Sequence, residues 1–233
     1  MTPTHAHDGT EPGTLAGRAT WIFDLDNTLY PPACNLFAQI DVRMGAFIGQ
    51  LLGIDAVAAR RVQKGYFMSH GTTLRGLMDH HGVAPEDFLS YVHDIDVSPV
   101  PANPRLERAL ARLDGRKLVF TNGSVDHAGR VLDRLGVAGL IDDVFDIAAA
   151  DYLPKPHDET YRRFIAHYGI DAEAAVMVED MARNLTPAAR LGMTTVWLDT
   201  GSDWGRADLE TDHVHHVIDD LTDWLEELTT PSR

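Results

Sequence analysis

Trp21-Ile22-Phe23-Asp24-Leu25-Asp26-Asn27-Thr28 is a short apolar run that ends in two acids one residue apart. Side chains alternate along a strand, so Asp24 and Asp26 share one side while Leu25 takes the other, and both carboxyls can face one ligand. Ligands of open α/β sheets sit beyond the carboxyl ends of the strands, where this pair falls if residues 21–23 are the buried strand body. Two like charges this close repel. The site therefore needs either a bridging cation or a proton on one acid.

Working outward, three further β-branched or apolar runs occur at 117–121, 175–179 and 194–198, with another strand expected near 144–148. Amphipathic segments at 130–135, 158–167 and 182–191 serve as crossovers. This alternation predicts an α/β fold, a Rossmann-like doubly wound parallel sheet with helices on both faces. The interval 32–103 breaks the rhythm. It contains helix-like stretches at 36–52, 55–69, 74–81 and 85–93, punctuated by Gly53, Gly71 and Gly82, and reads as an inserted α-helical cap. Pro99, Pro101 and Pro104 mark the return to a core made of 19–31 and 104–233. Residues 1–18 show no apolar period and read as a flexible leader, with His5 and His7 as solvated tail residues. The acidic amphipathic stretch 219–228 reads as a packing helix.

With 233 residues, 44% hydrophobic and 24% charged, the chain has the composition of a globular protein with a sizeable core. Its formal charge of −15 argues against a nucleic-acid polymer or an anionic membrane as a partner. An anionic substrate then requires positive potential built locally. Cys34 is the only cysteine, which excludes an internal disulfide and suits a reducing cytoplasm. No secretory signal pattern or membrane-spanning apolar run is evident, so the expected location is cytoplasmic, and the expected state a monomer or homodimer.

Three other strand ends carry chemistry. Phe120-Thr121-Asn122-Gly123 offers a hydroxyl and main-chain N–H groups at a helix start, an anion-binding arrangement that a plain N-cap would also explain. Lys155, between Pro154 and Pro156, can neutralise a phosphate and its transition-state charge. Met177-Val178-Glu179-Asp180 closes a strand with two acids, followed by Asn184. Oxygen ligands at a phosphate site favour magnesium, with Asp180 completing its shell and Glu179 nearby or acting through water. In such a site Asp24 attacks phosphorus, while Asp26 protonates the leaving alkoxide and then activates water.

These four segments, in this order, resemble the haloacid dehalogenase-like hydrolase superfamily from Thr20 to about Leu225. Phe23-Asp24-Leu25-Asp26-Asn27-Thr28-Leu29 is similar to its first motif, Thr121-Asn122 to the second, Lys155-Pro156 to the third, and Glu179-Asp180 with Asn184 to the fourth. The resemblance implies that Asp24 is the nucleophile and Asp26 the acid/base. Magnesium would be held by Asp24, the main-chain carbonyl of Asp26, and Asp180. Dehalogenases of the superfamily generally lack the second aspartate, because halide leaves without protonation, and Asp26 argues against that activity.

The stretch Tyr66-Phe67-Met68-Ser69-His70-Gly71-Thr72-Thr73-Leu74-Arg75-Gly76-Leu77, followed by His80-His81, resembles the pyrimidine 5′-nucleotidase-like subgroup. That resemblance implies a nucleoside monophosphate as substrate and makes Tyr66, Thr73 and Arg75 candidates for contacting it. Packing within the cap explains Tyr66 equally well, and a solvated helix face explains Arg75. A sugar phosphate or phosphoglycolate, a phosphomutase, or a nucleotide-binding module without turnover are the alternatives.

Overall fold

The computed structural model describes residue 15 and residues 17–207 and 211–230. Most of the expected leader, including His5 and His7, lies outside the described residues. Leu15, at its end, is buried and packs into the core, and the next stretch is tied to the sheet by Ala19 N–H on the Ala174 carbonyl at 3.0 Å.

Among the described residues six parallel strands form one sheet. They are β1 (Thr20–Phe23), β2 (Arg116–Phe120), β3 (Asp143–Phe145), β4 (Ala175–Glu179), β5 (Thr194–Leu198) and β6 (His216–Ile218), in the spatial order β3-β2-β1-β4-β5-β6. Phe23 pairs with Val119 on one side and Val178 on the other. The strand order reverses between β1 and β4, so the crevice where such sheets bind ligands opens above the end of β1.

Alternation along the strands divides the core into two layers. Trp21, Phe23, Val119 and Val178 face α5 (Pro104–Arg112), α6 (Val125–Leu135) and α9 (Leu221–Thr229). Ile22, Leu118, Phe120 and Met177 face α7 (Asp158–Tyr168) and α8 (Ala182–Arg190). The doubly wound expectation is met. Sequence reading did not anticipate α5 or β6, and β3 is shorter than the expected 144–148. The start of α6 falls at Val125, earlier than the apolar period indicates, because Ser124 caps it by accepting the His127 N–H.

Between β1 and α5 run α1 (Leu36–Leu52), α2 (Ala56–His70), α3 (Thr73–His81) and α4 (Pro85–His93). Side-chain caps set two of their starts: Asp55 accepts from Ala58 N–H, and Thr72 from Arg75 N–H. Gly53 and Gly82 end α1 and α3 in the left-handed region that glycine adopts without strain. The four helices share a third apolar cluster, built on Ile40, Ile48, Leu77, Phe88 and Val92. Among the described residues no single helix is long and apolar enough to cross a membrane.

Phe164 is fully buried, stacked on Phe120 with centroids 4.6 Å apart and edge-on to Phe145 at 5.3 Å. Phe164→Ala should lower the unfolding free energy by about 3–5 kcal/mol in a urea titration. A loss under about 1 kcal/mol would mean that this face of the sheet is not close-packed.

Candidate active site

The ends of β1, β2 and β4 meet around Lys155. Its side chain is 1% exposed, and its ammonium donates to Asp24 Oδ1 at 2.8 Å, Phe120 O at 2.7 Å and Glu179 Oε1 at 2.9 Å. An ammonium has three hydrogens, and each has an acceptor here. Asn122 fixes the main chain that delivers it: Lys155 N–H donates to Asn122 Oδ1 at 2.8 Å, and Asn122 Nδ2 returns a bond to Lys155 O at 3.2 Å. Asn122 lines the cavity with its amide held in this clamp, which leaves its main chain for the anion-binding part expected of this segment.

Asp24 is buried, its N–H bonded to Val178 O at 3.0 Å and its Oδ2 accepting from Thr28 Oγ1 at 3.2 Å. Burial pushes its carboxyl up, the Lys155 ammonium pulls it back, and the Glu179 and Asp26 charges push it up again. The result lies above the usual carboxylate range. Glu179 accepts from Lys155 and from Asn184 Nδ2 on Oε1, and from Met181 N–H on Oε2 at 2.8 Å. Thr121 Oγ1 accepts the Gly123 N–H at 2.9 Å, which leaves its own hydrogen to donate.

Asp180 is buried, and burial first, then the Glu179 and Asp24 charges, raise its carboxyl well above the ordinary value. Its main chain is held from two sides. Trp197 Nε1 donates to Asp180 O at 2.9 Å, and Gly205 lies so near that a Cβ there would stand 2.7 Å from the same oxygen.

Asp26 has different neighbours. Tyr30 OH donates to its Oδ1 at 2.6 Å and His127 Nε2 lies 2.9 Å from the same atom. Burial would raise its carboxyl, but His127 and the Tyr30 hydroxyl outweigh this and hold it down at about 2. Tyr30 follows Asp26 by four residues, but His127 is 101 residues away and carries no local pattern that pairs it with Asp26.

A cavity of about 480 Å³ opens over these groups and extends under the four-helix insertion. Ile40, Met44, Phe67, Leu74, Phe88 and Val92 make it apolar over much of its wall. At one side Asp41 accepts from Gln63 Nε2 at 2.8 Å, Lys64 Nζ at 2.5 Å and Arg60 at 2.9 Å, and all four residues line the space. Phe67 meets Trp204 edge-on at 5.5 Å and forms part of the same wall.

Of the three insertion residues expected at the substrate, only Thr73 lines this cavity, and it donates to Gln63 O at 3.2 Å. Tyr66 instead packs between helices, with no room for a Cβ on Gly76 beneath its ring and its hydroxyl 2.7 Å from His81 Nε2. Arg75 lies on the outer face of α3, paired with Asp79 at 2.9 Å. Helical periodicity explains both corrections: Gln63, Lys64 and Phe67 turn inward on α2, and Tyr66 faces α3.

Asp24, Glu179 and Asp180 each bring a carboxylate oxygen within 4.8 Å of the others. Three buried carboxylates against one ammonium is an excess of negative charge, which adds to burial, the larger cause, in raising the Asp24 and Asp180 carboxyls. Asn184 Oδ1, in the same cavity wall, is buried without a hydrogen-bond partner. An all-oxygen donor set with excess negative charge fits a hard divalent cation such as magnesium.

A family model described as haloacid dehalogenase-like hydrolase matches residues 19–192. "Phosphate metabolism protein 8" of Saccharomyces cerevisiae is 27% identical over 195 residues, covering 76% of this chain and 60% of that protein. The chain thus spans about three fifths of that relative's length. Among solved structures, a HAD phosphatase from Thermococcus onnurineus matches with a TM-score of 0.60 at 18% identity, over 90% of this chain and 97% of that one. An L-2-haloacid dehalogenase from Xanthobacter autotrophicus, with chloropropionic acid covalently bound, matches at 0.56 and 15%, over 90% and 97%. At such identities the two structures speak for the fold alone.

Lys155→Met leaves Asp24 and Glu179 without their cation and should lower the unfolding free energy by about 3 kcal/mol at neutral pH. An unchanged urea midpoint would show that the ammonium adds nothing to the folded state.

Proposed function

The chain belongs to the haloacid dehalogenase-like hydrolase family, and from that premise we propose that it is a magnesium-dependent phosphomonoesterase acting on nucleoside 5′-monophosphates, pyrimidine nucleotides above all. The observation that carries the phosphatase reading is the second carboxyl, Asp26, beside Asp24 and held in place by two donors. A halide departs without a proton, whereas an alkoxide needs one, so an acid kept beside the nucleophile is of use only for the second reaction. The curated relative's name, which refers to phosphate metabolism, points the same way.

In this reading a carboxylate oxygen of Asp24 attacks phosphorus, the bond to the leaving oxygen breaks, and Asp26 supplies the proton that oxygen takes up. Lys155, already bonded to Asp24 Oδ1, balances the charge of the phosphoryl group, and the Thr121 hydroxyl donates to one of its oxygens. Water then attacks the aspartyl-phosphate while Asp26 takes its proton, which frees phosphate and restores Asp24. Asp24 and Asp180, with the Asp26 carbonyl and with Glu179 alongside, would hold magnesium, which when bound supplies positive charge beside the phosphoryl oxygens.

The insertion reads the leaving group. A nucleoside is a flat ring with polar edges on a sugar, and the cavity offers apolar wall for the ring with Asp41, Gln63 and Lys64 as acceptor and donors. A sugar phosphate would leave that apolar wall uncovered.

Phosphate release from UMP or CMP with magnesium should fall by roughly 10³-fold or more in Asp24→Asn. A full rate in that variant would remove Asp24 from the nucleophile's role. Chelation of divalent cations should abolish release and added magnesium restore it. For the leaving-group site, Lys64→Met should raise KM for UMP about tenfold, the equivalent of about 1.4 kcal/mol. Arg75→Ala, on the outer face of α3, should change it by less than about twofold. The opposite ranking would place substrate on the outer face of α3.

A further inference from the structure

Asp26 carries both of its hydrogen bonds on one oxygen. Tyr30 and His127 converge on Oδ1, which accepts both when Asp26 is ionised and when its proton sits on Oδ2, so His127 serves in either state as the tautomer that donates from Nε2. Oδ2 takes part in neither bond; it lies 3.7 Å from where a Cβ on Gly123 would stand, a point 3.2 Å from Thr121 Oγ1 and 3.5 Å from His127 Cδ2. With Oδ1 taken by both donors, Oδ2 is the oxygen of Asp26 left to meet a ligand in the cavity. The last torsion of an aspartate is soft, and without these donors the two oxygens would exchange places.

His127 is itself fixed. It is wholly buried, and its ring stacks on His93 with centroids 4.6 Å apart and planes within 10°. His93 closes α4 of the insertion, and its Nδ1 lies 2.8 Å from Ser124 Oγ, the cap of the helix that carries His127. The Arg130 guanidinium, one turn further along that helix, bonds the carbonyls of His93 and Ile95. Such an arrangement of buried, mutually supporting groups is more than packing requires.

We propose that Tyr30 and His127 are positioning residues that lock Asp26 by its Oδ1 and so commit Oδ2 to the leaving oxygen. The inference rests on the phosphatase reading. The first step starts from Asp26 with a proton on Oδ2, the form that the second step regenerates; that proton passes to the leaving oxygen as its bond to phosphorus breaks and the bond from Asp24 to phosphorus forms. In the second, a proton of the attacking water returns to Oδ2. Tyr30 and His127 keep their own protons throughout.

The test separates a misplaced acid from a generally disturbed site. The ratio kcat/KM reports only steps up to departure of the leaving group. UMP, whose alkoxide needs a proton, is therefore compared with p-nitrophenyl phosphate, whose phenolate leaves without one. In Tyr30→Phe and His127→Phe, kcat/KM for UMP should fall about 30-fold while that for p-nitrophenyl phosphate falls less than about threefold. His127→Gln, which keeps an N–H near the Nε2 position, should recover most of the loss. Equal losses on both substrates, or no loss on UMP, would overturn the lock. Thermal melts establish that each variant is folded, and Tyr30→Phe, which removes one hydroxyl and keeps the ring, decides the matter if the His127 variants are not. The phosphatase reading is tested separately by the unaltered enzyme and Asp24→Asn. If the unaltered enzyme prefers another alkyl phosphate, that substrate replaces UMP in the same comparison.

Discussion

One ammonium holds this site together. Lys155 Nζ bonds the carboxylates that end β1 and β4 and the carbonyl that ends β2, so three strands are tied at the point where the sheet's strand order reverses. The cost of burying Asp24 and Glu179 is met chiefly there, because the pull of a charge a few ångströms away in a low-dielectric interior is large. The balance is incomplete, and Asp180 is left with raised proton affinity. The same imbalance makes the arrangement receptive to a cation and to a reaction that moves negative charge.

The two acids of the opening strand have become electrostatically unlike through their surroundings. Asp24 faces other carboxylates and a single cation, whereas Asp26 faces a tyrosine hydroxyl and an imidazole. Residue type is the same, but one carboxyl is pushed up and the other held down. The insertion takes part in this difference, since His93 from α4 lies against the imidazole that grips Asp26. The part of the chain that walls the cavity is thus in direct contact with the residues around Asp26.

Much of this was legible in the residues alone because it depends on short-range pattern. A buried run ending in Asp24 and Asp26, crossovers of helical period, and the glycines at 53, 71 and 82 that punctuate the insertion each declare themselves within a few residues. What was not legible depends on distant partners. Nothing local in Asn122 shows that its amide is clamped to Lys155, 33 residues on. Tyr66 and Arg75 stand in the right segment, but which face of α2 and α3 turns inward is decided by packing against α1 and α4. The strand β6 has no buried apolar run to announce it, being half-exposed at the sheet edge. The helix α5 was hidden because its opening Pro104 also reads as a linker residue, although proline is well suited to a first turn.

Gly205 extends the site's demands to a residue that performs no chemistry. Its main chain lies against the Asp180 carbonyl while its own carbonyl accepts the Ala182 N–H at 2.9 Å, so the turn after β4 is gripped by a loop that also contributes Trp204 to the cavity wall. Any larger residue there has to displace the backbone that aims Asp180. A natural variant that keeps every acid of the site but loses this glycine would look intact by its motifs while holding its last carboxylate in the wrong place. In comparing genomes, position 205 is therefore a better indicator of a working centre than its unremarkable chemistry suggests.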